Sequence, residues 1–456
     1  MPYVSLNPST NQVLQTHTSW DAAHLAEVLE QARTAQLAWA QTGFEQRAEV
    51  LREVAMHLRT HRDRYANLIT LEMGKLLREA RAEVEKCAQG CEFYAQHAAE
   101  FLRDEPVKTD ALKSYVMYAP LGVVLAVMPW NFPFWQVFRA AAPALMAGNA
   151  VVLKHASNVP QCALALEKIF REGGLPDHLF TTLLIESDQV ADAIAHPAVQ
   201  AVTLTGSETA GRAVAACAGQ HLKKCVLELG GSDPFIVLHD ADLEYTATQA
   251  LASRFLNCGQ SCIAAKRCIL VPEIAEAFVQ AFHTKVAALQ LGDPLQAATQ
   301  LGPMARLDLR ETLHHQVTDS IAQGAVALTG CRAADRTGNY YEPSILDQVT
   351  EKARAYHEEL FGPVAVVIRA SSEADALRIA NQSRFGLGSS IWSQDLARAE
   401  QMATQLQAGC TFINGMVKSD ARLPFGGIKA SGFGRELAQH GIREFVNAKT
   451  VWIRSA

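Results

Sequence analysis

The sequence lacks a basic excess, a long apolar run and a secretion signal. Its 456 residues carry 41 Lys and Arg against 47 Asp and Glu, a net charge of −6, which argues against nucleic acid or an anionic membrane as the main partner. Apolar runs such as 121–128 are far too short to span a bilayer. The amino terminus has no charged region followed by an apolar core, so no secretory signal is predicted. A cytoplasmic protein that acts without membrane or nucleic acid is expected.

The sequence also lacks the cysteine spacing of a disulfide framework or a metal centre. Ten cysteines are present, but in a long chain without a secretion signal we expect them to be reduced. The pairs Cys87/Cys91 and Cys258/Cys262 are four residues apart. A zinc site usually has closer pairs or nearby histidines, so no metal site is predicted.

Helical periodicity dominates the first hundred residues. Amphipathic runs over 22–40, 47–58, 63–77 and 79–101 predict helices, and Ser19 followed by Asp21 is placed to cap the first. Because the chain is longer than one ordinary domain, we expect two or three domains.

Short apolar strands alternate with helices in the middle of the chain. The predicted elements are strand 123–128, helix 134–145, strand 150–154, helix 160–171, strand 201–204, helix 208–217 and strand 225–229. A second series runs from about 232 to 425, beginning with strand 234–237, helix 243–256, strand 268–271 and helix 274–289. Such alternation predicts an α/β fold with parallel sheets. The segments 106–120 and 445–453 appear as isolated strands outside this alternation, and their unpaired edges need covering.

Cys262 ends a glycine-containing turn at 257–262 (Asn-Cys-Gly-Gln-Ser-Cys), between a helical run and an apolar strand. A thiol on a loop can reach a ligand. Upstream, the carboxylate of Glu228 lies beside the pair Gly230 and Gly231. A thiol nucleophile and a carboxylate base suggest covalent catalysis through a thioester. The alternatives are that Cys262 is an ordinary thiol and Glu228 a surface carboxylate.

No G-x-G-x-x-G follows a strand, so the usual dinucleotide fingerprint is absent. Strand 201–204 leads instead through Gly206 and Ser207 into a helix that contains Gly211. The free N–H groups at such a helix start can hold a pyrophosphate. Ser207 could equally be an ordinary N-cap. Lys154 ends another buried strand and is expected to face the ligand crevice of an open sheet.

Five motifs together resemble the aldehyde dehydrogenase superfamily, over nearly the whole chain. They are Pro-Trp-Asn-Phe-Pro at 129–133, Glu-Leu-Gly-Gly at 228–231, the cysteine segment 257–262, Glu-Glu-Leu-Phe-Gly-Pro at 358–363 and Pro-Phe-Gly-Gly at 424–427. The segments 154–160 and 259–267 are most similar to the short bacterial succinate-semialdehyde dehydrogenases.

The resemblance implies a domain organisation. A Rossmann-like dinucleotide-binding domain would comprise 1–102 and 121–230, and a second α/β catalytic domain 231–435. The segments 103–120 and 436–456 would form a small β oligomerisation arm, in a homodimer or homotetramer.

The resemblance also implies a reaction, in which the Cys262 thiolate attacks an aldehyde and forms a thiohemiacetal and then a thioester. Asn131, whose amide is a neutral donor, would hold the developing oxyanion, although Asn before Pro133 is also a common turn residue. Glu228 would be the general base for hydrolysis of the thioester. A thiol hydrolase without cofactor and a catalytically silent relative are the alternatives from other classes.

The cofactor implied is a nicotinamide dinucleotide. NAD-selective relatives often carry a glutamate at the position of Ser157, and a carboxylate repels a 2′-phosphate where a hydroxyl does not. NADP is therefore favoured over NAD, unless Ser157 is a neutral cap without a role in selectivity. The cofactor-binding residues implied are Trp130, Lys154, Ser157, Gly206, Ser207, Gly211, Leu229, Glu359 and Phe361.

The substrate implied is succinate semialdehyde, because relatives specific for it carry an Arg at the position of Arg139. Arg suits a bidentate grip on a carboxylate, although a solvated helix charge is the alternative. Ser419 would share this contact, and Trp135 and Phe425 would enclose the aliphatic part. Glutarate semialdehyde or a broad range of aldehydes are the alternative substrates. Cys258 is either a packed thiol or a redox partner of Cys262.

Overall fold

The computed structural model describes residues 3–455 and has two parallel-sheet layers covered by helices. The predicted α/β fold is confirmed. Within the described residues, no helix combines the length and apolarity needed to cross a membrane.

The helices lie close to the predicted positions. In chain order they are α1 Ala22–Trp39, α2 Phe44–Thr60, α3 Arg62–Met73, α4 Leu77–Phe101, α5 Trp135–Met146, α6 Pro160–Glu172, α7 Val190–Ala195, α8 Glu208–Gln220, α9 Leu243–Phe255, α10 Pro272–Ala287, α11 Leu307–Ala322, α12 Arg354–His357, α13 Glu373–Gln382, α14 Leu396–Ala403 and α15 Ala438–Arg443.

The strands include the short apolar runs of the sequence and several two-residue pairings. In chain order they are β1 Tyr3–Leu6, β2 Val13–His17, β3 Glu105–Pro106, β4 Lys113–Pro120, β5 Val123–Met128, β6 Ala150–His155, β7 Phe180–Thr182, β8 Val199–Thr205, β9 Lys224–Glu228, β10 Pro234–Val237, β11 Arg267–Leu270, β12 Val326–Thr329, β13 Ser344–Asp347, β14 Val364–Arg369, β15 Phe385–Gly386, β16 Gly388–Trp392, β17 Cys410–Ile413, β18 Ile428–Lys429, β19 Gly432–Phe433 and β20 Val446–Ile453.

The first sheet has the strand order β19-β9-β8-β5-β6-β7. Its strands are parallel except β19, which returns from late in the chain and runs antiparallel to β9. Every residue of β6 is buried, as expected for a parallel strand covered on both faces. Chain order reverses at β5, since β6 lies on one side of it and β8 on the other. In open α/β sheets the ligand crevice lies at the carboxyl ends of the strands at such a point.

The second sheet has the order β12-β13-β14-β11-β10-β16-β17, parallel except for the edge strand β12. Its own apolar core is separate from that of the first sheet. The loop that carries Cys262 enters this sheet through β11, and so joins the two layers.

The two isolated strands of the sequence pair with each other. β20 lies antiparallel to β4 from Val446 opposite Pro120 to Ile453 opposite Lys113, and β3 completes a three-stranded sheet. β4 and β20 each cover one edge of the other. Trp452 and Ile453 of β20 remain 48% and 41% exposed.

Two details at the beginning of the chain differ from prediction. The hairpin of β1 and β2 was not predicted, because β2 is almost wholly exposed and gives no apolar alternation. The third helix ends at Met73 and not at 77. Gly74 follows in the left-handed conformation with φ +80°, and its N–H closes the helix on the Thr70 carbonyl.

Candidate active site

The loop that carries Cys262 begins with three consecutive left-handed residues. Asn257, Cys258 and Gly259 have φ of 53°, 56° and 69°, which is strained for the two residues that carry a Cβ. The Asn257 side chain holds the turn, since its Nδ2 donates to the carbonyl oxygens of Asn131 at 2.7 Å and Gln260 at 3.1 Å. The turn thus fastens the Cys262 loop to the segment that follows β5.

Arg254, at the end of α9, binds this loop to the Glu-Glu-Leu-Phe-Gly-Pro segment. Its buried guanidinium donates to the carbonyl of Gly259 at 3.1 Å and to those of Leu360, Gly362 and Val364 at 2.9, 2.5 and 2.8 Å. Burial lowers its pKa to about 10. Sequence reasoning missed Arg254, because a single arginine at a helix end carries no local signal.

Cys262 is half-buried in the wall of a cavity of about 470 Å³. Burial raises the pKa of its thiol to about 12, whereas Lys266 and Arg139 act in the opposite direction. The thiol is therefore protonated at neutral pH in this state, and its activation depends on nearby positive charge. The other predicted substrate-binding residues line the same cavity: Trp135, Arg139, Ser419 and Phe425.

Lys266 contacts the backbone of the nucleophile loop, and it was not among the predicted site residues. Its buried ammonium donates to the carbonyl oxygens of Ser261 and Cys262, both at 2.7 Å, and lies 3.1 Å from Glu359 Oε1. Glu359 also accepts the Gly231 N–H at 3.2 Å. The lysine thus links the nucleophile to the carboxylate predicted to hold a ribose. In the sequence, only the position of Lys266 four residues after Cys262 could have indicated this role.

Asn131 lies beside the nucleophile loop. Its side chain is 4% exposed, and its Nδ2 donates to the Gln260 carbonyl at 3.1 Å. One amide hydrogen remains for an oxyanion. Asn131 is therefore more than a local turn residue, because its side chain binds the Gln260 carbonyl in a distant segment of the sequence.

Glu228 ends β9 and is 2% exposed, so it is no surface carboxylate. Within residues 3–455 neither carboxylate oxygen has a hydrogen-bond partner. Burial raises its pKa well above the usual range, the nearby Glu436 raises it further, and Arg139 and Arg435 oppose the shift. Burial and the neighbouring acid thus favour the protonated form of Glu228.

Arg139 is buried on α5 and forms an ion pair with the equally buried Glu436. Its guanidinium carbon lies 4.7 Å from the centre of the Phe425 ring, and Nη2 is 3.4 Å from Thr205 Oγ1. The alternative of a solvated helix charge is therefore wrong. However, the guanidinium already binds an acid of the chain, which the sequence did not indicate.

A second cation lies in the cavity wall. Lys86, on α4, donates from Nζ to Ser419 Oγ at 2.7 Å, and the indole Nε1 of Trp135 donates to the same oxygen at 2.9 Å. Lys86 also lies 4.5 Å from the centre of the Trp135 ring. Sequence reasoning did not single out Lys86, because it is one charge among many on an amphipathic helix.

The predicted cofactor residues gather at the carboxyl ends of the first sheet. Lys154 is buried at the end of β6, where Nζ donates to the His155 carbonyl at 3.1 Å, and Ser157 is exposed just beyond it. Gly206 follows β8, and Ser207 caps α8 by accepting the Ala210 N–H at 3.3 Å. The N-cap interpretation of Ser207 is thus confirmed, and it is compatible with a phosphate at the helix start.

Of the remaining cofactor residues, Trp130 and Leu229 follow strands of the first sheet and Gly211 lies on its helix α8, whereas Glu359 and Phe361 precede β14 of the second sheet. Gly211 packs so closely on Leu229 that a Cβ would lie 2.6 Å from the leucine side chain. Trp130 and Phe361 meet edge to face, with ring centres 5.8 Å apart. An aromatic pair, a helix amino terminus and a buried ammonium with two unused donors suit the parts of a nicotinamide dinucleotide. Among the described residues, no group of His, Cys, Asp and Glu could hold a metal ion.

Cys258 and Cys262 pack in different apolar cores. Cys258 is buried in the core of the second sheet, whereas Cys262 packs against that of the first. Burial and the nearby Glu79 raise the pKa of the Cys258 thiol. These surroundings fit a packed thiol, and the redox role stays a prediction.

Comparison with known proteins agrees with this geometry. The aldehyde dehydrogenase family model matches residues 2–451. The chain is 50% identical, over 99% of its length and 100% of the relative's, to a protein of Synechocystis sp. named probable succinate-semialdehyde dehydrogenase (NADP+). It is 47% identical, over 98% of its length and 97% of the relative's, to the Escherichia coli succinate semialdehyde dehydrogenase (NAD(P)+) Sad.

The fold also matches a solved structure. A crystal structure of succinic semialdehyde dehydrogenase from Streptococcus pyogenes with NADP+ superposes with a TM-score of 0.97. The two chains are 39% identical, and the match covers 99% of this chain and 100% of that one. The chain belongs to the aldehyde dehydrogenase family.

Proposed function

We propose that this protein oxidises succinate semialdehyde to succinate with NADP+ as the favoured cofactor. The observation that carries the proposal is the cavity at Cys262, whose four basic side chains include the enclosed Arg139 and Lys86 close to the Ser419 hydroxyl. A cavity that binds only neutral aldehydes gains nothing from desolvated cations, since each is costly to bury. The similar Synechocystis and Escherichia coli proteins bear the name of the same activity.

Cys262 supplies the nucleophile. Its sulfur forms a bond to the aldehyde carbon, and the carbonyl oxygen becomes an oxyanion that the Asn131 amide and the Cys262 backbone N–H stabilise. Lys266 and Arg139 favour the thiolate that this step needs. A nicotinamide dinucleotide held at Lys154, Ser207 and Phe361 would supply the acceptor for the hydride, and Cys262 carries the acyl group as a thioester once the tetrahedral carbon has lost that hydride.

Glu228 completes the cycle. In its ionised form it takes a proton from water, whose oxygen attacks the thioester carbon. The carbon–sulfur bond breaks, succinate forms, and the Cys262 thiolate returns. Because its surroundings raise the pKa of Glu228, this step depends on loss of the proton that they favour.

Lys154, Ser157, Ser207, Glu359 and Phe361 would hold the dinucleotide. Ser157 is exposed and uncharged, so it leaves room for a 2′-phosphate. If the protein were a thiol hydrolase without a cofactor, these five residues would have no role in its reaction.

The same proposal includes a cytoplasmic homodimer or homotetramer, with the domain division stated above. The β3, β4 and β20 sheet presents the exposed apolar side chains Trp452 and Ile453. A second copy of the chain would cover them and pair the remaining strand edges.

The test is kcat/KM for succinate semialdehyde, glutarate semialdehyde and butanal, each measured with NADP+ and with NAD+. We expect the highest value for succinate semialdehyde with NADP+. A higher value for glutarate semialdehyde would transfer the function to that substrate, and equal values for butanal would contradict a carboxylate-specific site. Greater efficiency with NAD+ would contradict the role given to Ser157.

A further inference from the structure

The first turns of α4 bind two segments that line the cavity at Cys262. Glu79 and Glu83 lie four residues apart on this helix, and the carboxylate of each accepts backbone N–H groups of a distant segment. Glu83 Oε1 accepts two N–H groups at the start of α5, at 2.9 and 3.0 Å. Glu79 Oε2 accepts the N–H of Asn257, on the loop of the nucleophile, at 3.1 Å. One helix thus holds both the element that follows Asn131 and the loop that carries Cys262.

The hydrogen bond of Glu79 holds a strained turn. Asn257 is 1% exposed and is the first of three consecutive left-handed residues. Such backbone persists where the surrounding contacts fix it. The Asn257 side chain supplies two of these contacts, to the carbonyl oxygens of Asn131 and Gln260, and Glu79 supplies the contact to its N–H. A hydrogen bond to a carboxylate is about twice as strong as one between neutral groups, so Glu79 contributes strongly to the conformation of the turn.

Glu79 differs from the other acid of this helix in how its charge is balanced. Glu83 forms a buried ion pair with Lys75. Glu79 is half-buried in the cavity wall and has no ion pair among the described residues. Within residues 3–455 the Asn257 N–H is its one hydrogen-bond donor. The strength with which Glu79 holds the loop therefore depends on whether its carboxyl group is ionised.

The charge of Glu79 changes near neutral pH. Burial raises its pKa to about 7, and the neighbouring carboxylate of Glu83 acts in the same direction. Lys75, the bound backbone N–H and Arg78 oppose this shift. On the loop of the nucleophile, the titratable neighbour is the Cys258 thiol, whose pKa Glu79 raises. The contact between α4 and the loop is therefore stronger above about pH 7, where the carboxylate predominates.

We propose that Glu79 is a positioning residue for the nucleophile, whose carboxylate holds the left-handed turn at Asn257 and thereby keeps the Cys262 loop in place. This assignment rests on the proposed function in taking Cys262 as the nucleophile, and it is independent of which aldehyde is the substrate. The step that it supports is attack of the thiolate on the aldehyde carbon. A small displacement of a reacting group slows such a step strongly.

The experiment measures the rate of NADPH formation in the first turnover, by rapid mixing of the enzyme and NADP+ with succinate semialdehyde or butanal. In Glu79→Leu, which has no acceptor for the N–H, this rate should fall about tenfold or more. The loss should be equal for both aldehydes, because both require the same nucleophile. Glu79→Gln retains an uncharged acceptor and should restore part of the rate. KM for NADP+ should stay within about twofold in both variants.

A pH series distinguishes positioning by the carboxylate from a merely structural role. Wild-type Glu79 gains its charge as the pH rises through about 7, whereas the glutamine of Glu79→Gln stays neutral. The ratio of the wild-type first-turnover rate to that of Glu79→Gln should be close to one at about pH 5.5 and rise about three- to tenfold by about pH 8.5. The ratio cancels the pH dependence of the thiol, which both proteins share. Glu100→Gln, at an exposed acid of the same helix, should show no such rise.

The outcomes separate this assignment from the proposed function. A wild type that forms no NADPH from either aldehyde would overturn both. A wild type that prefers butanal would overturn the proposed substrate alone, because the pH series is measured equally well with butanal. An active wild type whose rate ratio to Glu79→Gln is constant over the pH series would overturn the assignment alone, and so would an unchanged first-turnover rate in Glu79→Leu. If Glu79→Leu does not fold, the pH series on Glu79→Gln decides.

Discussion

Glu228, Glu436 and Arg139 share one enclosed site, so their protonation cannot be considered separately. Burial raises the pKa of both carboxyl groups, and each would carry its charge close to the other. The Arg139 guanidinium pairs with Glu436, and the pKa of Glu228 stays raised despite the opposing charges of Arg139 and Arg435. A base with a raised pKa makes the rate of thioester hydrolysis depend on pH.

We expect kcat to rise with pH, because the ionised form of Glu228 appears only as the pH passes its raised pKa. Glu436→Gln removes the negative neighbour and leaves Arg139 to Glu228, so the pKa of Glu228 should fall and the rise in kcat should occur at lower pH. Glu228→Gln should retain a first burst of NADPH but reduce steady-state turnover by about a hundredfold or more. Rapid-mixing absorbance over a pH series measures both.

The exposed Glu400 on α14 offers a control, since Glu400→Gln should leave the pH profile unchanged. If Glu436→Gln displaced the profile to higher pH, the electrostatic account of the pair would be wrong. Loss of the burst in Glu228→Gln would place this residue in acylation and not in hydrolysis.

At the scale of elements, the loop between α9 and β11 depends on a glycine at one position. Gly259 has φ +69°, and a Cβ there would lie 2.3 Å from the Gly362 carbonyl oxygen. Arg254 binds both of these backbone segments. The loop of the nucleophile and the loop of Glu359 and Phe361 are thus packed with no space for a side chain between them.

Gly259→Ala should therefore lower stability by about 1–3 kcal/mol, from backbone strain and the clash together. It should also lower kcat, because Cys262 and Glu359 move apart. Gly219→Ala, in the last turn of α8 with open space around it, should leave kcat unchanged and stability equal or slightly higher. Thermal unfolding and steady-state kinetics on both variants test this, and a fully active Gly259→Ala would contradict the role of the loop.

The elements were predictable where the signal is local. β5 and β10 begin and end at the predicted residues, because apolar runs between turn residues define them. The hairpin at the start of the chain was missed because β2 is exposed. Lys86 and Glu436 were missed for a different reason, since each acquires its meaning from partners hundreds of positions away. Sequence motifs located the site, and only packing revealed how its charges are paired.

For the whole molecule, the site depends on contacts between its two sheets. β9 of the first sheet ends in Glu228, and the loop before β11 of the second sheet carries Cys262. β19 and α15 return to the first sheet late in the chain and bring Glu436 to Arg139. The final strand, β20, follows directly on this segment, so the arm and the acid pair belong to one continuous stretch.

Variants in β20 can therefore test whether the arm forms the contact between two copies of the chain. Trp452→Asp with Ile453→Asp places charges on apolar side chains that are 48% and 41% exposed, and so should prevent a second copy from covering them. We expect light scattering after size exclusion to show a lower molecular mass than for wild type. Leu222→Asp, at a side chain that is 95% exposed and lies outside β3, β4 and β20, should leave the mass unchanged. A wild-type mass equal to one chain would contradict the proposed homo-oligomer, and an unchanged mass in the double variant would place the subunit contact on another surface.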